Sequence, residues 1–251
     1  MQASSDWRLA TCDWRLVVCL ALAFTMGPHA QQISPAPSAD PRAEIALRSF
    51  LDRTAAAHQY SASRRLEASG SGRQGWLDVQ TQFSVASGFS YQVMAEGGSG
   101  YIRSRVLRSL LEEERNIVAE NASTKVALSY DNYQFTPNSI DEEGLAVVTI
   151  KPLRKDRSLI AGQMFLTEEG DLVRVKGRLV KNPSFWVTRA NLIRSYQRIN
   201  GVTMPVSLET TGQLRLFGSS ALRMTYRYEQ INEQIVGDDE AESVRAGAST
   251  P

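Results

Sequence analysis

The sequence has little of the chemistry on which most enzymes and metalloproteins depend. Its 251 residues include two cysteines and two histidines, and of these four only His58 lies beyond residue 30. Thiol nucleophiles and His/Cys metal clusters are therefore excluded from the rest of the chain, and a Ser-His-Asp triad would depend on His58 alone. No Gly-x-Ser-x-Gly nucleophile elbow accompanies that histidine. We expect a non-enzymatic protein with no catalytic residues, no metal and no cofactor.

An excess of charge and a long hydrophobic run are also lacking. The 28 Lys and Arg residues nearly balance 27 Asp and Glu residues, for a net charge of +1. This balance gives no field that would attract phosphate backbones, so nucleic acid is not an expected partner. The longest uncharged apolar run, residues 16–26, is shorter than the roughly 20 residues that a membrane-spanning helix needs.

That apolar run instead has the surroundings of a signal peptide. Arg8 and Arg15 precede it, and the small and turn residues of 27–30 follow it. We expect cleavage near Ala30 and export to the periplasm, with a retained N-terminal anchor as the alternative. The predicted organisation is a signal peptide at 1–30, a flexible lead-in at 31–40, one domain at 41–236 and a disordered tail at 237–251.

Hydrophobic spacing predicts two helices in the domain. Asp40 and Pro41 supply an N-cap and a first-turn proline for a helix over 41–58. A second apolar stripe at helical spacing predicts a helix over 99–118. The glycine-rich residues 97–100 precede it and read as a hinge, because no Lys-Ser/Thr pair completes a phosphate-binding loop.

The rest of the domain alternates with the period of strands. Leu77, Val79, Phe83 and Val85 share one face of a strand over 76–85, and 60–68 and 89–95 read as its neighbours. Six further strands follow at 145–151, 160–166, 172–180, 185–198, 206–216 and 221–231, joined by turns too short for parallel crossovers. The G-x-G-x-x-G string at 70–75 lies between strands, so it predicts a hairpin and not a dinucleotide site.

Two helices cannot cover a sheet of nine or more strands, because a helix is about 10 Å wide and strands lie 4.7–4.9 Å apart. Such a sheet curls into a barrel or leaves a concave apolar face, and either arrangement makes a site for a lipid-like ligand.

The order of elements and three segments resemble the LolA/LolB-like superfamily. The segments are 170–177 (GDLVRVKG), 182–187 (NPSFWV) and 196–205 (YQRINGVTMP). The resemblance implies an α+β fold: a large antiparallel sheet curled into an incomplete barrel, with helices covering the concave face. A closed lipocalin-like barrel is the alternative. It also implies an arginine on the first strand that ties a helical lid to the barrel, for which Arg64 and Arg65 are the candidates.

The function that we expect is a monomeric periplasmic carrier or chaperone that shelters acyl chains of lipoproteins or other envelope lipids in a hydrophobic groove. Membrane-bound donor and acceptor proteins would be its further partners. An envelope-stress sensor or interaction module using the same groove is the alternative, followed by a secreted hydrolase. Period 2 and the helical stripe predict these ligand-binding residues: Leu77, Val79, Phe83, Phe89, Tyr91, Val93, Ile102, Val106, Leu110, Leu214, Leu216, Leu222, Met224, Tyr226 and Tyr228. Gly97, Gly98 and Gly100 are the predicted lid hinge.

Overall fold

A computed structural model describes residues 39–53, 56–120, 123–156, 158–181, 187–214 and 218–236. The predicted signal peptide, the lead-in up to residue 38 and the predicted tail lie outside the described residues. The helices are α1 (Pro41–Leu51), α2 (Gly100–Ile102), α3 (Arg108–Ala119) and α4 (Ser123–Val126), with a π-helical turn, Arg103–Leu107, joining α2 to α3.

The eleven described strands form a single antiparallel sheet. They are β1 (Gln59–Gly70), β2 (Arg73–Ser84), β3 (Gly88–Gly98), β4 (Tyr133–Ile140), β5 (Ala146–Pro152), β6 (Ile160–Leu166), β7 (Leu172–Leu179), β8 (Val187–Ile199), β9 (Val202–Leu214), β10 (Gly218–Ile231) and β11 (Gln234–Ile235). The order is β3-β2-β1-β10-β9-β8-β7-β6-β5-β4, with β11 paired to β10. Among these strands β3 and β4 each have one neighbour, so the sheet is open and the alternative of a closed barrel is wrong.

Both helical regions lie on the same face of this sheet. Residues directly opposite each other on neighbouring strands point to the same side. One row of such pairs crosses the sheet through Leu66, Met224, Leu208, Arg194, Val175, Met164 and Val148. We call the side on which this row lies the helix-side face. Leu107 and Leu111 pack with Leu66 at one end, and α1 packs with Val148 at the other.

The first helix begins where the sequence predicts and ends earlier. The Asp40 side chain accepts a hydrogen bond from the Arg42 amide at 2.9 Å, with Pro41 in the first turn. The helix stops at Leu51, not at residue 58. Strand β1 starts at Gln59, and the His58 amide is bound to Asn232 Oδ1 at 2.8 Å. The three consecutive alanines of the sequence favour a longer helix, but by Gln59 the chain is already paired with β2 in the sheet.

The short strand β11 and the edge strand β4 are both missing from the sequence analysis, and β4 is the longer of the two. Its hydrophobic alternation is broken by Pro137 and by a bulge between Pro137 and Ser139. Proline cannot donate to a ladder and is tolerated on edge strands and at bulges. Since β4 is an edge strand with a bulge, both conditions are met, and the domain has eight strands after its helical middle instead of six or seven.

Candidate functional site

The structure brings the predicted ligand-binding strand residues onto the helix-side face. Val79 lies opposite Val93, and Phe83 lies opposite Phe89. Leu66 on β1 lies between Leu77 on β2 and Met224 on β10, directly opposite each of them. By the same register this face also carries Tyr91, Leu222, Tyr226 and Tyr228. Leu214 ends β9, and Leu216 lies outside the described residues.

Residues 100–119, which we call the helical segment, cover the part of this face that β1, β2 and β3 form. Leu77 and Val79 are 0% and 1% exposed, and Met224 is 4% exposed. Phe83, Tyr91, Val93, Val106 and Leu222 are partly buried at the rim of the same apolar cluster. The described arrangement is therefore closed, with the side chains of the helical segment occupying the space above these strands.

The π-helical turn changes which residues of the segment face the sheet. An α-helical stripe would use Ile102, Val106 and Leu110. The buried residues are instead Ile102, Leu107 and Leu111, whereas Val106 and Leu110 are only half-buried. A π turn closes i→i+5 hydrogen bonds and inserts one residue, so the buried face moves by one position after Ile102. For this reason Leu107 and Leu111 lie in the core, at the places that the sequence predicts for Val106 and Leu110.

Polar contacts fasten the helical segment to the sheet. Glu96 on β3 bridges to Arg103 at 2.6 Å and to Arg108 at 2.5 Å. The Tyr91 hydroxyl donates to Glu112 at 2.6 Å. With the Arg64–Glu114 pair described next, these contacts span the segment from its first turn to its last. We call them the latch.

Arg64 is the buried member of this latch. Its side chain is 1% exposed, and it pairs with Glu114 at 2.6 Å. It also donates to the Tyr60 hydroxyl at 2.8 Å and lies 4.6 Å from the Tyr226 ring centroid. Burial alone would lower the pKa of Arg64, but the nearby Glu114, Tyr226 and Tyr60 raise it above its ordinary value. Arg64 is therefore a permanent cation beneath the segment.

Of the two arginines that the resemblance offers for the tie to the lid, only Arg64 contacts the helical segment. Arg65 points to the opposite face. There it pairs with Asp78 at 2.8 Å and with Glu67 at 3.1 Å, and it lies 4.0 Å from the Trp76 ring centroid.

Tyr60 and Tyr226 lie beside the guanidinium of Arg64, and Tyr228 packs against both of them. We call these three residues the tyrosine cluster. The Tyr226 and Tyr228 rings stack at 6.1 Å, and Tyr228 meets Tyr60 edge-on at 5.8 Å. The Tyr228 hydroxyl donates to the Pro205 carbonyl at 2.8 Å. Burial raises the pKa of all three phenols. They stay neutral at physiological pH and act as packing and hydrogen-bonding groups.

The predicted hinge glycines are held by the sheet. Gly97 and Gly98 pair with Trp76 and Gly75 as the last residues of β3, and α2 begins at Gly100. A Cβ on Gly97 would lie 2.7 Å from the Trp76 indole. Gly98 has φ +76°, and a Cβ there would lie 2.5 Å from the Gln74 carbonyl oxygen. Close backbone approach accounts for these two glycines, and their role as a hinge stays a prediction.

Two residues of this face were missed from the sequence, and both carried a signal. Glu114 follows Leu107 by seven positions and Leu111 by three, so it lies on the apolar stripe and not beside it. Arg194 alternates with Leu192 and Tyr196 in β8, which places all three on one face of that strand. A charge at an inward position of an apolar pattern is the informative observation.

Other features of the described residues do not point to a different site. They contain no group of acidic, His or Cys side chains that could hold a metal, and no helix among them is long and apolar enough to cross a membrane. A cavity of about 190 Å³ lies on the opposite face and is lined by Ser69, Asn191, Thr211, Gly212, Gln213, Ser219, Ser220 and Ala221. The residues that line it are small or polar and offer no large apolar side chain to an acyl chain.

Comparison with known proteins gives structural similarity alone. No family model and no curated protein matches the chain. A DUF1329 family protein from Desulfovibrio piger has a TM-score of 0.37 and 8% identity, over 76% of this chain and 92% of its own. A LolA superfamily protein from Nitrosomonas europaea has a TM-score of 0.36 and 9% identity, over 79% and 96%. The Pseudomonas aeruginosa MucA/MucB complex has a TM-score of 0.16 and 12% identity, over 82% and 97%. The fold description therefore rests on the chain's own strand order and register.

Proposed function

We propose that the protein is a periplasmic carrier that binds acyl chains of lipoproteins or other envelope lipids between the helical segment and the helix-side face, without transforming them. The observation that carries the proposal is the way in which the helical segment covers the sheet. The apolar surface that β1, β2 and β3 present on this face is covered by a segment whose last helix, α3, fully buries one residue, Leu111, among its twelve. Polar contacts of the latch hold the rest of that helix.

A carrier needs a binding surface that it can also vacate. Burying an acyl chain gives about 0.8 kcal/mol per CH₂, so a 16-carbon chain offers roughly 13 kcal/mol before any cost. If the helical segment occupies the same apolar surface, the ligand must displace it. The net affinity is then reduced by the free energy of closure, and release becomes possible.

The proposal predicts that weakening the latch tightens binding. Glu96→Gln removes the charge that holds Arg103 and Arg108. Because Glu96 is 32% exposed, its two bridges together are worth about 0.5–1 kcal/mol. The variant should bind a dansyl-labelled undecanoic acid about two- to fivefold more tightly than the parent. Glu113→Gln changes the same charge on the exposed side of α3 and should leave binding unchanged.

Three further measurements separate this function from its alternatives. Native mass spectrometry after mild extraction should find a bound lipid. Lipid and glycan substrates should be recovered unchanged, since turnover would favour the hydrolase. A parent protein that binds neither the probe nor any extracted lipid contradicts the proposal and favours a sensor or interaction module.

A further inference from the structure

Arg194 occupies an unusual place on the helix-side face. In β8 it lies opposite Val175 on β7 and opposite Leu208 on β9. Val175 belongs to the apolar cluster under α1, and Leu208 borders the cluster under the helical segment. A cation therefore lies between the two apolar halves of the face, where neither helical region is centred.

Arg194 has no anionic partner among the described residues. Each arginine–carboxylate pair within 4.0 Å in that part of the chain is formed by a different arginine. Its Nε is shielded from solvent and lacks a hydrogen-bond partner. Its guanidinium carbon lies 5.4 Å from the Tyr196 ring centroid. The Nε of Arg64, another cation of this face, also lacks a partner, but Arg64 is paired with Glu114 through a terminal nitrogen and Arg194 is not.

A shielded charge without a partner is costly, because desolvation is not repaid by an ion pair. Such a charge next to an apolar surface is a candidate functional group. A guanidinium offers five donors in a planar fork that matches carboxylate and phosphate oxygens. Tyr196 raises the pKa of Arg194, so the side chain is charged at every physiological pH.

We infer that Arg194 binds an oxyanion, a carboxylate or a phosphate, at the middle of the helix-side face. This rests on the proposed function in one respect: the oxyanion would be the head group of an amphiphile whose chain lies on the neighbouring apolar surface. Tyr196 would hold the plane of the guanidinium by stacking and leave its outer nitrogens to the ligand.

The test compares dodecyl phosphate, dodecanoate and dodecanol, which share one chain, with inorganic phosphate as the fourth ligand. The parent should bind the two anions at least about tenfold more tightly than dodecanol, the equivalent of one charge-assisted hydrogen bond. Arg194→Met should abolish this preference and leave dodecanol binding unchanged. Arg194→Lys should keep part of it. Arg223→Met, on the opposite face beside Glu209, is the matched control and should behave as the parent.

Each outcome decides the inference. A parent that binds all three amphiphiles equally overturns it and leaves the proposed function standing. If no amphiphile binds, the proposed function fails. The oxyanion site would still be established if inorganic phosphate raised the melting temperature of the parent and not that of Arg194→Met. Inorganic phosphate that competes with dodecyl phosphate at equal concentration would assign the site to free anions. A melting temperature that falls in Arg194→Met as far as in Glu114→Met would overturn the inference, because a cation that forms no ion pair should lose only its stacking on Tyr196.

Discussion

The Arg64–Glu114 pair is asymmetric, and its asymmetry can be tested. The Arg64 side chain is 1% exposed, whereas Glu114 is 35% exposed. Removing the carboxylate leaves the buried guanidinium of Arg64 without its ion-pair partner. Removing the cation leaves a carboxylate that water can reach. We therefore predict that Glu114→Met destabilises the protein more than Arg64→Met does, although both variants break the same ion pair.

The magnitudes follow from the surroundings of each group. Breaking a fully buried pair costs about 3–5 kcal/mol, and the exposure of Glu114 reduces this to about 2 kcal/mol for Glu114→Met. Arg64→Met loses the contacts of the guanidinium with Tyr60, Phe89 and Tyr226. Methionine regains part of them through sulfur–aromatic packing, so the net cost should be about 1 kcal/mol. The double variant places two apolar groups together and should lie within about 1 kcal/mol of the parent.

Urea denaturation of the parent, both single variants and the double variant measures these differences. The expected loss for Glu114→Met corresponds to a melting temperature lower by about 4–8 °C. Glu113→Met, on the exposed side of the helix, is the control and should stay within about 0.5 kcal/mol of the parent. The reasoning is refuted if Arg64→Met is the more damaging change, or if the costs of the two single variants simply add in the double variant.

Three further predictions concern packing, the core and pH. Gly98→Ala should cost about 1–3 kcal/mol more than Gly72→Ala, because both residues have positive φ but only Gly98 lacks room for a Cβ; equal melting temperatures would contradict this. Val79→Asp should cost about 3 kcal/mol or more, whereas Gln82→Asp, exposed on the same strand, should melt like the parent. The tyrosine cluster has raised pKa values, so it keeps its protons in the folded state above pH 10 while the unfolded chain loses them. The free energy of unfolding should thus be independent of these tyrosines below about pH 9 and fall above pH 10 by about 1.4 kcal/mol per pH unit for each one, which denaturation at pH 8, 10 and 11 would measure.

Much of the sheet could be predicted from sequence because its strands alternate strictly and its turns are short. Period 2 placed Leu77, Val79 and Phe83 on one face, and the register of β2 with β3 brings Phe89 and Val93 to that face. The pairing of β1 with β10 joins residues that are 150 to 171 positions apart. No local pattern encodes such a pairing, since it depends on burying the same face of both strands.

The errors share a cause, which is that tertiary packing overrides a local rule. The stripe of the helical segment was displaced because the π turn shifts the register after Ile102. The hinge at Gly97 and Gly98 is not one of these errors and stays a prediction, because flexibility and close backbone approach both favour glycine. Arg194 was overlooked because a charge within a strand is usually solvated, although it alternates with Leu192 and Tyr196, and the sheet register places it opposite Val175 on the inward face.

The two helical regions cover the helix-side face in different ways, and this decides where a ligand could enter. Helix α1 buries Ala43, Ala46 and Leu47 against the sheet, and a Cβ on Gly170 would lie 2.7 Å from the Phe50 amide nitrogen. The backbone of α1 is therefore in direct contact with the backbone at Gly170. The helical segment contains a π turn and buries Ile102, Leu107 and Leu111 in the apolar cluster. Its further contacts are those of the latch, in which Arg64 is buried and Glu96, Arg103, Arg108 and Glu114 are partly exposed, so that water can replace most of the latch at low cost. Opening beneath either helical region would expose apolar side chains, but only beneath the helical segment are part of the lost contacts ones that hydration replaces. Arg194 lies between these halves, where the head group of a chain seated under α3 would come to rest.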